Sequence, residues 1–466
     1  MRVCLIYPGI VGKGFDSIGQ GMDSGWISHG LAILVACARQ AGHEVSLIDL
    51  RAMKGWEQVQ AAIAQRQPDV VAITIMSADY NPAMRCLEIT RTINPKIVTM
   101  VGGAHATIMP QELIDNPNID HIFIGEGEET FADALDKLAR GEQVPRVVPG
   151  THPDLDVIPY ADHALFIDEW RAQGYAVTSP EAPFVVELPP PFVTVIAGRG
   201  CMYNCSYCQP AERYIFGRKV RRRSVENVLG ELTALRDQFH FASFMFHDDC
   251  LTEDREWVMA FCQAYLAAGF IQPFFCQSRA DIIVKNEDMV ALMVKTGLRG
   301  YFIGFESGSD RVLRFIRKGT KRAQNLAAAS ICRKYGIAIW ANYMLGLPTE
   351  TKEEVLETIS MLKVIDPDYY SPAFYTPHPG SDLYDYCIQN DLSLIKDHDS
   401  FRRNPDEAKI KGVDYEWLMW ALNESQKRTP INRMRRDMRR LWKRYAQPRK
   451  IARKLRHLLS GSHGQE

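Results

Sequence analysis

The chain has 466 residues, of which 46% are hydrophobic and 24% charged, and its formal net charge is -1. A chain of this kind buries a substantial core in two or three domains, and its balanced charge gives no reason to expect nucleic acid. No apolar run reaches the roughly 20 residues of a membrane-spanning helix and no signal-peptide pattern opens the sequence, so a cytoplasmic location is expected, with the 11 cysteines as thiols, metal ligands or redox groups rather than disulfides.

Residues 1–140 alternate short apolar runs with longer helical patterns. Arg2 to Tyr7, Glu44 to Asp49, Asp69 to Ile75, Lys96 to Val101 and Asp120 to Ile124 are the expected strands. The alternation predicts an α/β unit, a doubly wound parallel sheet of the Rossmann or flavodoxin type. Such a sheet takes its ligand beyond the strand C-termini. Those positions are Tyr7 to Gly9, Thr74 to Ala78, Gly102-Gly-Ala-His105 and Gly125-Glu-Gly-Glu128. Their glycines let the backbone approach a bulky ligand.

Residues 141–191 are rich in proline and read as a linker with one hairpin. From 192 to 385 a second series follows, with strands expected at Phe192 to Ala197, Ser243 to Phe246, Phe274 to Gln277, Gly300 to Phe305, Ala338 to Met344 and Tyr369 to Phe374. Six β/α units in this length suit a partial (β/α)6 barrel of the TIM type better than a second open sheet. Residues 386–466 are expected to be a helical, basic C-terminal region. Within it, 427–457 carries many Arg and Lys with Asp437 as its only acid. A solvated helix packing one stripe on the barrel is favoured there over contact with a membrane surface or an acidic partner.

Cys201-Met-Tyr-Asn-Cys205-Ser-Tyr-Cys208 follows the turn Gly198-Arg-Gly200 at the end of a predicted strand. Chance would supply such a triplet about 0.006 times in a chain with this many cysteines, so the thiols act together. Thiolates favour zinc or iron-sulfur clusters, and a structural zinc usually takes a fourth Cys or His that is not nearby in sequence. Three thiolates on a cubane cluster leave one iron open for chemistry, and a strand C-terminus at a barrel mouth is where active sites form.

This pattern resembles the radical S-adenosylmethionine superfamily, with Tyr207 as its aromatic residue. The resemblance implies that Cys201, Cys205 and Cys208 hold three irons of a 4Fe-4S cluster, and that its open iron chelates S-adenosylmethionine. It further implies that Tyr207 reaches the adenine through its backbone and that Asp248 or Asp249 receives the methionine ammonium. Arg279 is then expected to pair with a carboxylate, Glu306 and Ser307 to bond ribose hydroxyls, and the turn at Gly346 to lie along the adenine. A reductant such as flavodoxin or ferredoxin is implied as partner.

The loops Val101 to Thr107 and Gly125 to Phe131 resemble the cobalamin-binding domain that precedes the barrel in one subfamily, which includes corrinoid-dependent methyltransferases and the anaerobic magnesium-protoporphyrin cyclase. On that resemblance Gly102, Gly103, His105, Gly125, Glu126 and Gly127 are the cobalamin residues. The Asp-x-His-x-x-Gly motif of many cobalamin proteins is absent. Methylation of an unactivated carbon of a small molecule is the first expectation, cyclisation or rearrangement the second, and a zinc-stabilised binding protein the alternative of another class. A methylthiotransferase is disfavoured, because Cys4, Cys37 and Cys86 make no clustered second site. Trp340, Tyr343, Tyr375 and His378, near predicted strand ends, are candidate pocket or packing residues.

Overall fold

The computed structural model describes residues 1–20, 25–208, 211–217, 219–402, 407–428, 430 and 434. Most of the basic stretch 427–457 therefore lies outside the described residues. Two six-stranded parallel sheets organise the chain.

The first sheet holds β1 (Arg2–Tyr7), β2 (Glu44–Asp49), β3 (Val70–Thr74), β4 (Val98–Gly102), β5 (His121–Ile124) and β6 (Val147–Pro149), in the order β2-β1-β3-β4-β5-β6. Its strands are buried on both faces, which is why they read as near-continuous apolar runs. Along β1, Val3 and Leu5 face the helices His29–Gln40 and Glu128–Ala139. Cys4 and Ile6 face Trp56–Arg66 and Tyr80–Ile93 on the other side. Each fully buried Val, Leu or Ile contributes about 1.5–3 kcal/mol. Strand order reverses between β1 and β3, the switch point at which such sheets open a crevice.

Residues 141–191, expected as a linker with a hairpin, instead add β6 to the first sheet and form the helix Ala164–Ala172. Phe166 and Trp170 of that helix are fully buried in the first core, and Trp170 Nε1 donates to Asp49 Oδ2 at 2.8 Å. Further on, Phe184, Val185 and Leu188 pack into the second sheet. Proline content marked the irregular backbone but not the apolar residues spaced through it.

The second sheet comprises β7 (Phe192–Val195), β10 (Ser243–Phe246), β11 (Phe274–Ser278), β12 (Leu298–Glu306), β13 (Ala338–Leu345) and β14 (Tyr369–Phe374), paired in chain order and all parallel. β7 and β14 are its two edges, so the barrel is a partial one. Between β7 and β10 the two-residue strands β8 (Gly198–Arg199) and β9 (Arg221–Arg222) form an antiparallel ribbon. Alternation sends Phe244 and Phe246 outward under helices, while Met245, Phe275 and Phe302 fill the concave side with Phe184 and Trp340. The helix Tyr415–Ser425 closes the outer face, where the buried Tyr343 hydroxyl meets Ser425 Oγ at 2.5 Å. Tyr343 and the buried Tyr375 are thus packing residues, and Trp340 stacks on Tyr369 at 5.1 Å.

Candidate functional site

The cysteine loop leaves β8 directly. Cys201 and Cys205 are half-buried and Cys208 is exposed. The Ser206 N–H donates to the Ile316 carbonyl at 2.9 Å and its carbonyl accepts from the Leu383 N–H at 2.8 Å, so the loop is clipped at its centre. Burial pushes the Cys201 thiol up to about 11, so a metal there must displace the proton. Three soft donors at the mouth of a half-barrel fit an iron-sulfur cluster.

Behind the loop lies a buried ion pair. Lys318 Nζ donates to Glu306 Oε1 at 3.0 Å and to the Tyr207 hydroxyl at 3.2 Å. Glu306 ends β12 with φ of 61°, a left-handed backbone that a non-glycine residue adopts only where its surroundings impose it. A Cβ on Gly304 would fall 2.3 Å from Glu306 Oε1 and 2.7 Å from Lys318 Nζ, so glycine makes room for the pair. Nothing in the sequence pattern singled out Lys318.

Several expected contacts are already occupied by the chain itself. Arg279 pairs with its own Asp281 at 3.1 Å, donates to the Lys318 carbonyl at 2.7 Å, lies over the Tyr203 ring at 3.6 Å and reaches Cys205 Sγ at 3.9 Å. It supports the cysteine loop. Ser307 is fully buried, with Oγ 3.2 Å from Thr358 Oγ1 and accepting from the Ser309 N–H. Asp248 accepts from the Ala197 N–H at 2.9 Å and pairs with Arg222 at 3.3 Å. Burial raises its pKa to about 6. Asp249 is the exposed member of that couple. Gly346, at φ of 74°, donates its N–H to Glu350 Oε2 at 2.9 Å and abuts Leu418.

A cavity enclosing about 1270 Å³, solvent at its mouth included, lies between the sheets. One wall is Thr74, Gly102, Gly103, Gly125 and Gly127 at the strand ends of the first sheet; the other is Ile196, His247 and Asp249 of the second. Its glycine edges and apolar side chains suit a large, flat, partly apolar ligand such as a corrin. Gly103 has φ of 96°, and a Cβ there would sit 2.7 Å from Thr74 Oγ1.

His105 does not line this cavity. It is buried on the far side of its short helix, with Nδ1 3.1 Å from Ser77 Oγ. Glu126 does line it, but its carboxylate is consumed: it accepts from Arg199, Arg221 and His152, while Arg199 also pairs with Glu128 at 2.7 Å. These ties bind the first sheet to the β8–β9 ribbon. His29, likewise at the cavity and missed in the sequence, meets Thr194 Oγ1 through Nε2 at 2.6 Å. Burial keeps it and His247 neutral, the latter lowered to about 4.

Residues 22–135 match the B12 binding domain family and residues 195–362 the radical SAM superfamily. The chain is 29% identical over 414 residues to an uncharacterized methyltransferase of Pyrococcus horikoshii, covering 85% of this chain and 86% of that one. It is 28% identical over 399 residues to the anaerobic magnesium-protoporphyrin IX monomethyl ester cyclase of Rubrivivax gelatinosus, covering 82% and 69%. In fold it is similar to the radical S-adenosylmethionine methyltransferase TsrM of Kitasatospora setae, solved with cobalamin and a 4Fe-4S cluster bound, with a TM-score of 0.68 over 92% of this chain and 91% of that one at 15% identity.

Proposed function

Since the chain belongs to the radical S-adenosylmethionine superfamily, in the branch with an N-terminal B12 binding domain, we propose that it is an enzyme that methylates an unactivated carbon of a small-molecule substrate. A single cavity walled by the glycine loops of one sheet and the strand ends of the other supports this most directly. Cys201, Cys205 and Cys208 would hold the 4Fe-4S cluster, and Gly102, Gly103, Gly125 and Gly127 would give the backbone edge for cobalamin. Bound there, the cluster would supply an electron for cleavage of S-adenosylmethionine and cobalamin would supply a methyl carrier. The chain's own residues bind and orient. Asp249 faces the cavity as acceptor for the methionine ammonium, and Lys318 holds Tyr207 and Glu306 behind the cluster loop. The apolar walls exclude water.

Among the described residues no helix is long and apolar enough to cross a membrane. A cytoplasmic enzyme served by an external reductant such as flavodoxin or ferredoxin fits this reading, and nothing in charge or fold points to nucleic acid. The cyclase relative favours ring closure or rearrangement as the second outcome at the same site. A zinc-stabilised carrier has no support from the radical SAM match. The test is anaerobic purification and reconstitution followed by metal, sulfide and corrinoid analysis and an assay for 5′-deoxyadenosine. Iron, sulfide and corrinoid together with deoxyadenosine formation are expected, and Cys201→Ala is expected to abolish the iron and the deoxyadenosine. A colourless protein containing zinc alone overturns the proposal. A product heavier by one methylene distinguishes methylation from cyclisation.

A further inference from the structure

Outside the cavity, three metal-ligating side chains converge from opposite halves of the chain. His105 lies in Ala104–Ile108 after β4, Glu112 in Gln111–Ile114, and His398 in the tight turn His398–Phe401 beyond the second sheet. One ligand atom of each lies within 4.8 Å of the other two. Glu112 Oε2 is 3.4 Å from His105 Nε2 and 2.7 Å from His398 Nε2. We propose that His105, Glu112 and His398 bind one divalent metal ion of the zinc class, which pins the segment after the second sheet to the first sheet's domain.

The His105 ring carries the argument. It is only 1% exposed, and among the described residues its Nε2 has no hydrogen-bond partner. Its Nδ1 faces Ser77 Oγ, the second contact that metal-bound histidines typically make. In the tautomer with its proton on Nδ1, the Nε2 lone pair points toward the Glu112 carboxylate oxygen, an arrangement that holds a cation between the two. A neutral imidazole is the form that ligates metals.

Packing pre-places the third ligand. The His398 ring stacks on Tyr80 at 3.9 Å with an interplanar angle of 12°, and it meets His105 edge-on at 5.4 Å. Tetrahedral zinc with nitrogen and oxygen ligands at ~2.0–2.2 Å sets neighbouring donors roughly 3.3–3.5 Å apart. The His105–Glu112 spacing already meets this, and the His398–Glu112 spacing has to open by less than about 1 Å. Two imidazoles and a carboxylate suit zinc or cobalt, whereas calcium and magnesium take oxygen ligands. Glu112 is exposed and His398 half-exposed, so water reaches the fourth position.

The experiment uses the anaerobically reconstituted protein, in which iron occupies the cysteine site. It is equilibrated with zinc chloride, dialysed against metal-free buffer and analysed for zinc and iron. About one zinc per chain is expected, with a loss of more than about tenfold in zinc affinity in His105→Ala and His398→Gln at unchanged iron content. Zinc is also expected to raise the thermal midpoint of the wild type and not that of His398→Gln, whose side chain is half-exposed and whose folding is therefore least at risk. Absence of zinc from the wild type, or full retention of zinc by both histidine variants, overturns the site.

Discussion

Arg199 and Glu128 form an ion pair at 2.7 Å across the boundary between the two sheets, with only 10% and 7% of their side chains exposed. Arg199 is bonded to Glu126 as well, and Arg221 joins it there. Burial works against the Arg199 guanidinium, but the two carboxylates hold its pKa above the usual value, so the pair stays charged. This clamp fixes the width of the cavity that the two sheets share.

Arg199→Met is expected to leave both glutamates buried with reduced compensation and to cost about 3–5 kcal/mol. Arg199→Lys keeps the charge but not the fork, and loses less. Denaturant unfolding of the three proteins checks the order, and a parallel titration with hydroxocobalamin is expected to show weaker binding in the methionine variant.

The Lys318–Glu306 pair makes a second, independent case. Lys318→Met strands the Glu306 carboxylate and is expected to destabilise by about 3–5 kcal/mol, whereas adding Glu306→Gln restores part of that loss. A double-mutant cycle read by unfolding measures the coupling. Near-additive effects would mean that the pair is not the unit described here.

Gly103→Ala forces a side chain into a backbone at φ of 96° and against Thr74. A cost of roughly 1–3 kcal/mol in stability is expected, with lower corrinoid affinity because this residue edges the cavity. Gly141, also at positive φ but with open space around it, is the control: Gly141→Ala pays for the backbone alone and leaves corrinoid binding unchanged.

Acid should unfold the chain partly through its buried histidines. Burial lowers His163 to about 3, and neither ring nitrogen has a hydrogen-bond partner among the described residues. The folded state keeps this ring neutral while the unfolded chain takes up a proton below about 6.5. Its contribution is therefore complete above pH 6.5 and is lost as pH falls toward 3, with a slope approaching 1.4 kcal/mol per pH unit. His163→Leu is expected to be at least as stable as the wild type at pH 7 and to flatten that slope, measured by urea unfolding from pH 7 to pH 4.

Much of the scaffold is legible without coordinates because its signals are local. Arg2 to Tyr7, Glu44 to Asp49, Ser243 to Phe246 and Tyr369 to Phe374 are strands over the expected residues. β6 was missed because three residues in a proline-bearing stretch carry no periodicity, and they are a strand only because β5 offers an edge. The glycine loops were legible for a similar local reason, since close approach demands glycine whatever the partner. Which polar side chains remain available was not. Arg279, Ser307 and Glu126 all look like ligand-binding residues in sequence, and each is bonded to partners from its own chain that no local pattern announces.

Strand patterning, a property of neighbouring residues along the chain, sufficed to determine the α/β class, and cysteine spacing a three-thiolate metal site; the kind of chemistry came from the family those motifs resemble. Only the tertiary structure decided how charge is shared out. Glu126 meets Arg199 from 73 residues away and Arg221 from 95, and His398 reaches Glu112 across 286. A buried charge must find a counter-charge wherever folding brings one near, and no local pattern encodes a pairing that is settled by desolvation and distance in three dimensions.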